Sequence, residues 1–197
     1  MLDLFCGRWG WSKAFAARGW ECFGVDLARS PAPKGCIFLE ANVLEWNANM
    51  VCNLHPDFIC GSSPCEQFST MRNFRPPVPH PELGIKLFEH TRRICEESGV
   101  TYVMENVVGA QRFVGRSIAH CGSYYLWGTG VPPILPQGIR KGMTELAMGL
   151  REHKGKPNWN VRPGSKVEKQ AAFTATIPLE LANCVADYAE RLMEVRA

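Results

Sequence analysis

Short apolar runs alternate along this chain with longer stretches of helical period, and Gly or Pro separates most of them. Residues 1–5 predict a strand and 10–17 a helix. Residues 20–27, which contain Asp26 near their end, predict a second strand, and 36–39 a short third. Residues 56–60 predict a strand running into the small-residue turn Gly61-Ser62-Ser63. Residues 66–80 predict a loop, because Pro76-Pro77-Val78-Pro79 blocks regular structure. Pro81 opens a helix to Ser98, with Leu83, Leu87, Ile94 and Cys95 along one face and Gly99 as its stop. Strands are expected at 101–104 and 123–127. Pro178 then opens a last helix with Leu181, Val185, Tyr188 and Leu192 on one stripe. Such alternation implies an α/β fold, a mostly parallel sheet with helices on both faces.

Composition narrows the class. The chain has 197 residues, 46% hydrophobic and 21% charged, which suits one soluble domain spanning 1–197 with a core of its own. Its one internal boundary falls near residue 128, where a Gly- and Pro-rich, weakly periodic segment (128–177) begins. No apolar stretch nears the ~20 residues of a membrane span. The acidic and apolar start, followed at once by a glycine turn, does not resemble a signal peptide. Nine cysteines without a Cys-x-x-Cys pair argue against a metal site and for reduced thiols, hence a cytoplasmic location. Charge is uneven. Residues 140–169 hold eight Lys and Arg against three Glu, so the net +3 divides into +5 there and −2 elsewhere. The segment from Arg140 to Lys169 is thus a candidate contact for nucleic-acid phosphates, against the plainer reading of a solvated loop.

Three strand ends carry the candidate chemistry. Ser63-Pro64-Cys65 follows the apolar run Phe58-Ile59-Cys60, and a cysteine on a small-residue turn past a strand is placed to act as a nucleophile. Val103-Met104-Glu105-Asn106-Val107 sets an acid at the end of another apolar run, and Leu2-Asp3-Leu4-Phe5-Cys6-Gly7 opens a third. Together they suggest one site along one edge of an open sheet.

In their order along the chain, these residues resemble the cytosine C5-methyltransferase family, which uses S-adenosyl-L-methionine (SAM). Asp3-Leu4-Phe5-Cys6-Gly7-Arg8-Trp9-Gly10 resembles the first SAM motif, Pro64-Cys65 the catalytic Pro-Cys, and Glu105-Asn106-Val107 the Glu-Asn-Val motif. Thr176-Ile177-Pro178 with the helix after it resembles the closing motif, which packs beside the first strand. The resemblance implies a Rossmann-like SAM-dependent methyltransferase fold. It implies SAM binding by Asp3, Leu4, Phe5, Gly7, Gly10, Asp26, Leu27, Asn42 and Val43. Asp26 would face the ribose hydroxyls and Asn42 the adenine amino group. Catalysis would fall to Cys65, Pro64, Glu105 and Asn106. Cytosine C5 is a poor nucleophile; adding the Cys65 thiolate to C6 makes the ring enamine-like, so that C5 attacks the methyl group. Glu105 would hold N3 and the exocyclic amine, Pro64 would stiffen the turn, and Asn106 would anchor it. A base in duplex DNA must first be flipped out of the stack.

The chain also departs from that pattern. Trp9 stands where the family has a second glycine, and Glu66 stands where it has Gln, beside the nucleophile. The family's Gln-x-Arg-x-Arg motif has only a misspaced echo in Pro136-Gln137-Gly138-Ile139-Arg140, leaving Arg140 or Arg116 as substitutes. About fifty residues, 128–177, occupy the interval of a normally large target-recognition domain. The lead expectation is a compact DNA cytosine-5 methyltransferase of low or short-sequence specificity. The alternatives are the same chemistry on tRNA, single-stranded DNA or a cytosine nucleotide, and a catalytically weak module needing a protein partner for target recognition.

Overall fold

A computed structural model describes residues 1–68, 81–137, 139 and 177–195. The strands are β1 (Leu2–Leu4), β2 (Cys22–Asp26), β3 (Cys36–Glu40), β4 (Ile59–Gly61), β5 (Tyr102–Asn106), β6 (Ala119–Cys121) and β7 (Tyr124–Trp127). The helices are α1 (Ser12–Ala16), α2 (Ala48–Asn53), α3 (Pro81–Ser98), α4 (Gln111–Val114) and α5 (Leu179–Glu194). The strands form one seven-stranded sheet in the order β3-β2-β1-β4-β5-β7-β6. Pairing from β3 through β5 is parallel, whereas β7 runs antiparallel to both β5 and β6. This is the α/β arrangement expected from the alternation, a mostly parallel sheet with helices on both faces, and its strand order is Rossmann-like, as the resemblance implies.

Pleating sends successive side chains to opposite faces, and each face has its own core. Cys22, Cys60, Val103 and Leu126 pack with Trp11, Ala14 and Phe15 near or on α1 and with Leu181, Val185 and Ala189 on α5. Leu2, Leu4, Val25, Ile59 and Met104 pack on the other face with Val51 of α2, Phe88 and Ile94 of α3 and Val114 of α4. Arg18, just past α1, ties α5 down through Asp187 at 2.6 Å and Asn183 Oδ1 at 2.7 Å.

Several boundaries differ from the sequence reading. Strand β4 begins at Ile59 instead of 56, since Pro56 has no N–H to give a ladder. Strand β5 runs on to Asn106, so Glu105 and Asn106 lie within the strand, where antiparallel pairing with β7 extends it. The buried stripe of α3 is Gly84, Phe88, Thr91, Ile94 and Cys95, while Leu83 is 47% exposed. A Cβ on Gly84 would come within 2.7 Å of Gln67 and 2.9 Å of Phe68, so a glycine sets which face comes closest. Strand β6 and helices α2 and α4 are too short to show a period and were not expected. No helix bridges β2 and β3; residues 27–35 make that crossover alone. Residues 69–80 of the loop predicted at 66–80, most of segment 128–177 and the basic stretch from Arg140 to Lys169 lie outside the described residues.

Candidate active site

The chain winds outward from β1 to β2 and β3, then crosses back to β4 and continues to β5. The switch point is therefore between β1 and β4, where an open sheet leaves a crevice at its carboxyl edge. The candidate cofactor and catalytic residues sit at or near that edge: Asp3 and Leu4 in β1, Asp26 at the end of β2, Glu105 and Asn106 at the end of β5, and the others on the loops after β1, β2, β3 and β4.

The loop after β1 is wound tightly. Phe5, Gly7 and Trp9 all have positive φ, at 60°, 47° and 63°. Two of the three are not glycine, so the conformation is held by surrounding contacts at a cost of about 1–3 kcal/mol for each residue. Cys6 N–H donates to the Val25 carbonyl at 3.1 Å, and Trp9 N–H to the Cys6 carbonyl at 2.6 Å. Gly7 N–H donates to Asp26 Oδ2 at 3.0 Å, while Asp26 Oδ1 accepts from Ala28 N–H at 3.0 Å. Asp26 thus joins the β1 and β2 loops. Leu27 beside it is 69% exposed, an apolar surface at the same edge.

Trp9 is 1% exposed and lies against β2 and β3. A Cβ on Gly24 would meet its ring at 2.2 Å, and its ring packs edge-on to Phe38 at 6.1 Å between centroids. Gly10 leaves room for Ile177, which a Cβ there would meet at 2.9 Å. Asp3 faces α1, fully buried: Oδ2 accepts from the Ser12 hydroxyl at 2.6 Å and the Ser12 N–H at 3.2 Å. Its Oδ1 is buried without a hydrogen bond. Burial pushes the Asp3 carboxyl up to about 7, against the pull of the two Ser12 hydrogen bonds. Leu4 is core. Asn42 caps the short 3-10 turn after β3, accepting from Leu44 N–H at 3.1 Å, and Val43 within that turn is buried.

The loop after β4 is anchored at both ends. Ser62 N–H donates to the Leu4 carbonyl at 3.1 Å, and Trp11 Nε1–H donates to the Ser62 hydroxyl at 2.9 Å. Asn106, fully buried on β5, gives its side-chain amide to the Ser63 carbonyl at 3.0 Å and to the Ser63 hydroxyl at 3.1 Å. Beyond Cys65 the chain turns, Phe68 N–H donating to the Cys65 carbonyl at 3.0 Å. The buried Phe68 is then clamped: a Cβ on Gly109 would reach its carbonyl oxygen at 2.0 Å, and Gly84 presses on its ring. Between these anchors Pro64 and Glu66 are exposed and Cys65 is half-buried.

Glu105 is 7% exposed and stands opposite Leu126 of β7. Tyr124, two residues before Leu126, lies on the same face and one diagonal step nearer the carboxyl edge, within an aromatic side chain's reach. Its phenol is pushed up, first by burial and then by the nearby Glu105, Cys121 and Cys65. A protonated phenol therefore shares the surroundings of the acid and the thiol. The sequence reading missed Tyr124. The usable signal was its place two residues before a strand partner of Glu105, which required knowing that β7 turns back against β5. Arg116 is exposed on the link between α4 and β6, and Arg140 lies outside the described residues.

No family model matches the chain, and no curated protein matches it. Among solved structures, a mutant of Spodoptera frugiperda DNMT2 is similar with a TM-score of 0.35 and 19% identity, over 56% of this chain and 36% of that one. The chain thus spans about a third of the length of that structure.

Proposed function

We propose that the protein is a SAM-dependent methyltransferase that acts on C5 of cytosine in DNA. The observation that carries this reading is Asn106. It sits next to Glu105 on β5 and fixes the backbone of Ser63, two residues before Cys65, so one buried amide holds the acid and the nucleophile in register.

The residues of the β1–β2–β3 edge suit the cofactor. Leu27 offers an apolar face for a purine, and Asp26, which already aligns the glycine loop, offers acceptors for ribose hydroxyls. Phe5, Gly7 and Gly10 would hold the methionine end, and Asn42 with Val43 the adenine rim. The bound cofactor supplies an electrophilic methyl group. Cys65 adds through sulfur to cytosine C6, and Glu105, carrying a proton, gives it to N3 as this addition pushes charge into the ring and also holds the exocyclic amine. Pro64 limits the turn that aims the sulfur. Tyr124 stays protonated beside them and supplies an O–H donor to the pyrimidine edge. After transfer, water takes the C5 proton, the sulfur leaves C6 as thiolate and the ring is restored. The excess of Lys and Arg between Arg140 and Lys169 supports backbone contact with the polymer.

The test is transfer of label from methyl-tritiated SAM to duplex DNA, single-stranded DNA, tRNA and dCTP. Label at C5 in duplex DNA, abolished by Cys65→Ala and reduced at least tenfold by Tyr124→Phe, is the expected result. Label in tRNA alone would move the substrate while keeping the chemistry. Absence of label from every acceptor, with SAM still bound, would overturn the reading.

A further inference from the structure

Strands β2 and β3 each begin with a cysteine, and the two are register partners: Cys22 stands directly beside Cys36 in the parallel ladder. Both side chains point to the α1 face, where Cys22 is fully buried and Cys36 packs against the same core cluster from a half-buried position. The sulfurs are near enough that each thiol acts on the ionisation of the other. Cys36 also lines a surface cavity of about 430 Å³ with Gly19, Trp20, Glu21, Gly35 and Ile37. The pair therefore combines a reachable sulfur with a buried one behind it. It lies at the amino ends of the strands, across the sheet from the Cys65 edge, and the chemistry proposed there makes no use of it.

Directly adjacent strands lie ~4.7–4.9 Å apart, within the ~4.4–6.8 Å that a disulfide spans between Cα atoms. The Cβ atoms of a disulfide approach to ~3.5–4.5 Å, so closure must pinch the two strands together slightly. A bridge with some built-in strain is more easily reduced than a relaxed one. The crossover of residues 27–35 carries no helix, so β3 can yield to that pinch.

We propose that Cys22 and Cys36 form a reversible dithiol modification site that closes by exchange with a small-molecule disulfide of the glutathione type. The Cys36 thiolate, entered from the cavity, attacks one sulfur of the small disulfide. The S–S bond breaks, and the first small thiol leaves with the proton that Cys36 gave up. The Cys22 thiolate then attacks Cys36 Sγ, expelling the second small thiol, which takes the proton of Cys22. Two protein thiols are oxidised by two electrons and one small disulfide is reduced to two thiols.

Burial pushes both thiols up, Cys22 to about 12, and Asp3 adds to the rise while the N-terminal amine opposes it. Glu21 lines the same cavity. With little thiolate at neutral pH, closure is slow there and quickens about tenfold for each pH unit until Cys36 ionises.

The experiment treats the full chain with oxidised glutathione at pH 7.5 and 8.5, alkylates in denaturant, and maps chymotryptic peptides by mass spectrometry. Exposed Cys52 serves as the internal sign that the oxidant works. The expected result is a Cys22–Cys36 linked peptide that forms about tenfold faster at pH 8.5 than at 7.5 and is reopened by dithiothreitol. Cys22→Ser should instead trap glutathione on Cys36. Three results would overturn the proposal in the wild-type chain: both thiols still open to alkylation after Cys52 has reacted, a lasting glutathione adduct on Cys36 with Cys22 free, or a bridge from either to another cysteine. The wild-type map decides alone if the serine variant does not fold.

Discussion

At the scale of single residues, Asp3 gives the clearest solution signature. Its folded carboxyl sits at about 7 against an ordinary 3.8, because it is buried with one oxygen unbonded. A group raised on folding holds its proton longer in the native state. Its stabilising effect is complete below about 4, declines as pH rises through about 7, and is gone above that. The wild-type chain should therefore lose stability relative to Asp3→Asn between pH 4 and 7, and the gap should level off above pH 8. Urea midpoints of both proteins across that range check this; parallel curves would contradict it. Asn106 makes the opposite case, a buried polar group with its bonds made. Asn106→Ala strands the Ser63 carbonyl and should cost about 1–3 kcal/mol in urea denaturation, with faster alkylation of the half-buried Cys65 as its loop loosens. Glu66 is exposed, so its charge acts weakly on the neighbouring thiol. Glu66→Gln should raise the rate of Cys65 alkylation at pH 7 by about two- to threefold, and high salt should erase the difference.

At the scale of elements, glycine and aromatic partners do much of the positioning. The Trp9 ring lies where a side chain on Gly24 would be. A full β-α-β crossover would lay a helix over β2 and β3; here nine helix-free residues connect them, and Trp9 with Phe38 packs on that stretch of sheet. Its departure from the glycine expected at position 9 thus has a packing reason. Gly24→Ala should cost at least about 1–3 kcal/mol, and a cycle with Trp9→Ala should reveal strong coupling between the two positions. The loop that carries Cys65 depends in the same way on Gly109. Gly109→Ala would drive a methyl into the Phe68 carbonyl, and the expected outcome is faster proteolysis around residues 61–68 with little change in α5. Much of this scale was legible beforehand. Pro81 and Gly99 bracket α3 in the sequence as in the structure, and Pro178 precedes α5. The inward face of α3 was legible at Ile94 and Cys95 but not at its start, because the pattern favours Leu83 while contact with Phe68 selects Gly84. Nor was β6, three residues whose strand state comes from pairing with β7.

For the whole molecule, strand order decides what the residues mean together. Cys65 and Glu105 are forty residues apart in the chain, yet they sit at neighbouring strands because β4 pairs with β5. The grouping at one edge was legible from strand–helix alternation, since parallel strands put their carboxyl ends together. Tyr124 and the Cys22–Cys36 pairing were not, because each depends on a register that only the folded sheet supplies. The same order has a kinetic consequence. Strand β1 is a central one, and its second flank, Ile59, is paired with Leu2. Closing so long a loop precedes any reward from that contact, so the sheet cannot be completed by local hairpins. On a ribosome, β1 must wait with one side bare until β4 emerges, and refolding of the isolated chain should be slow and sensitive to concentration.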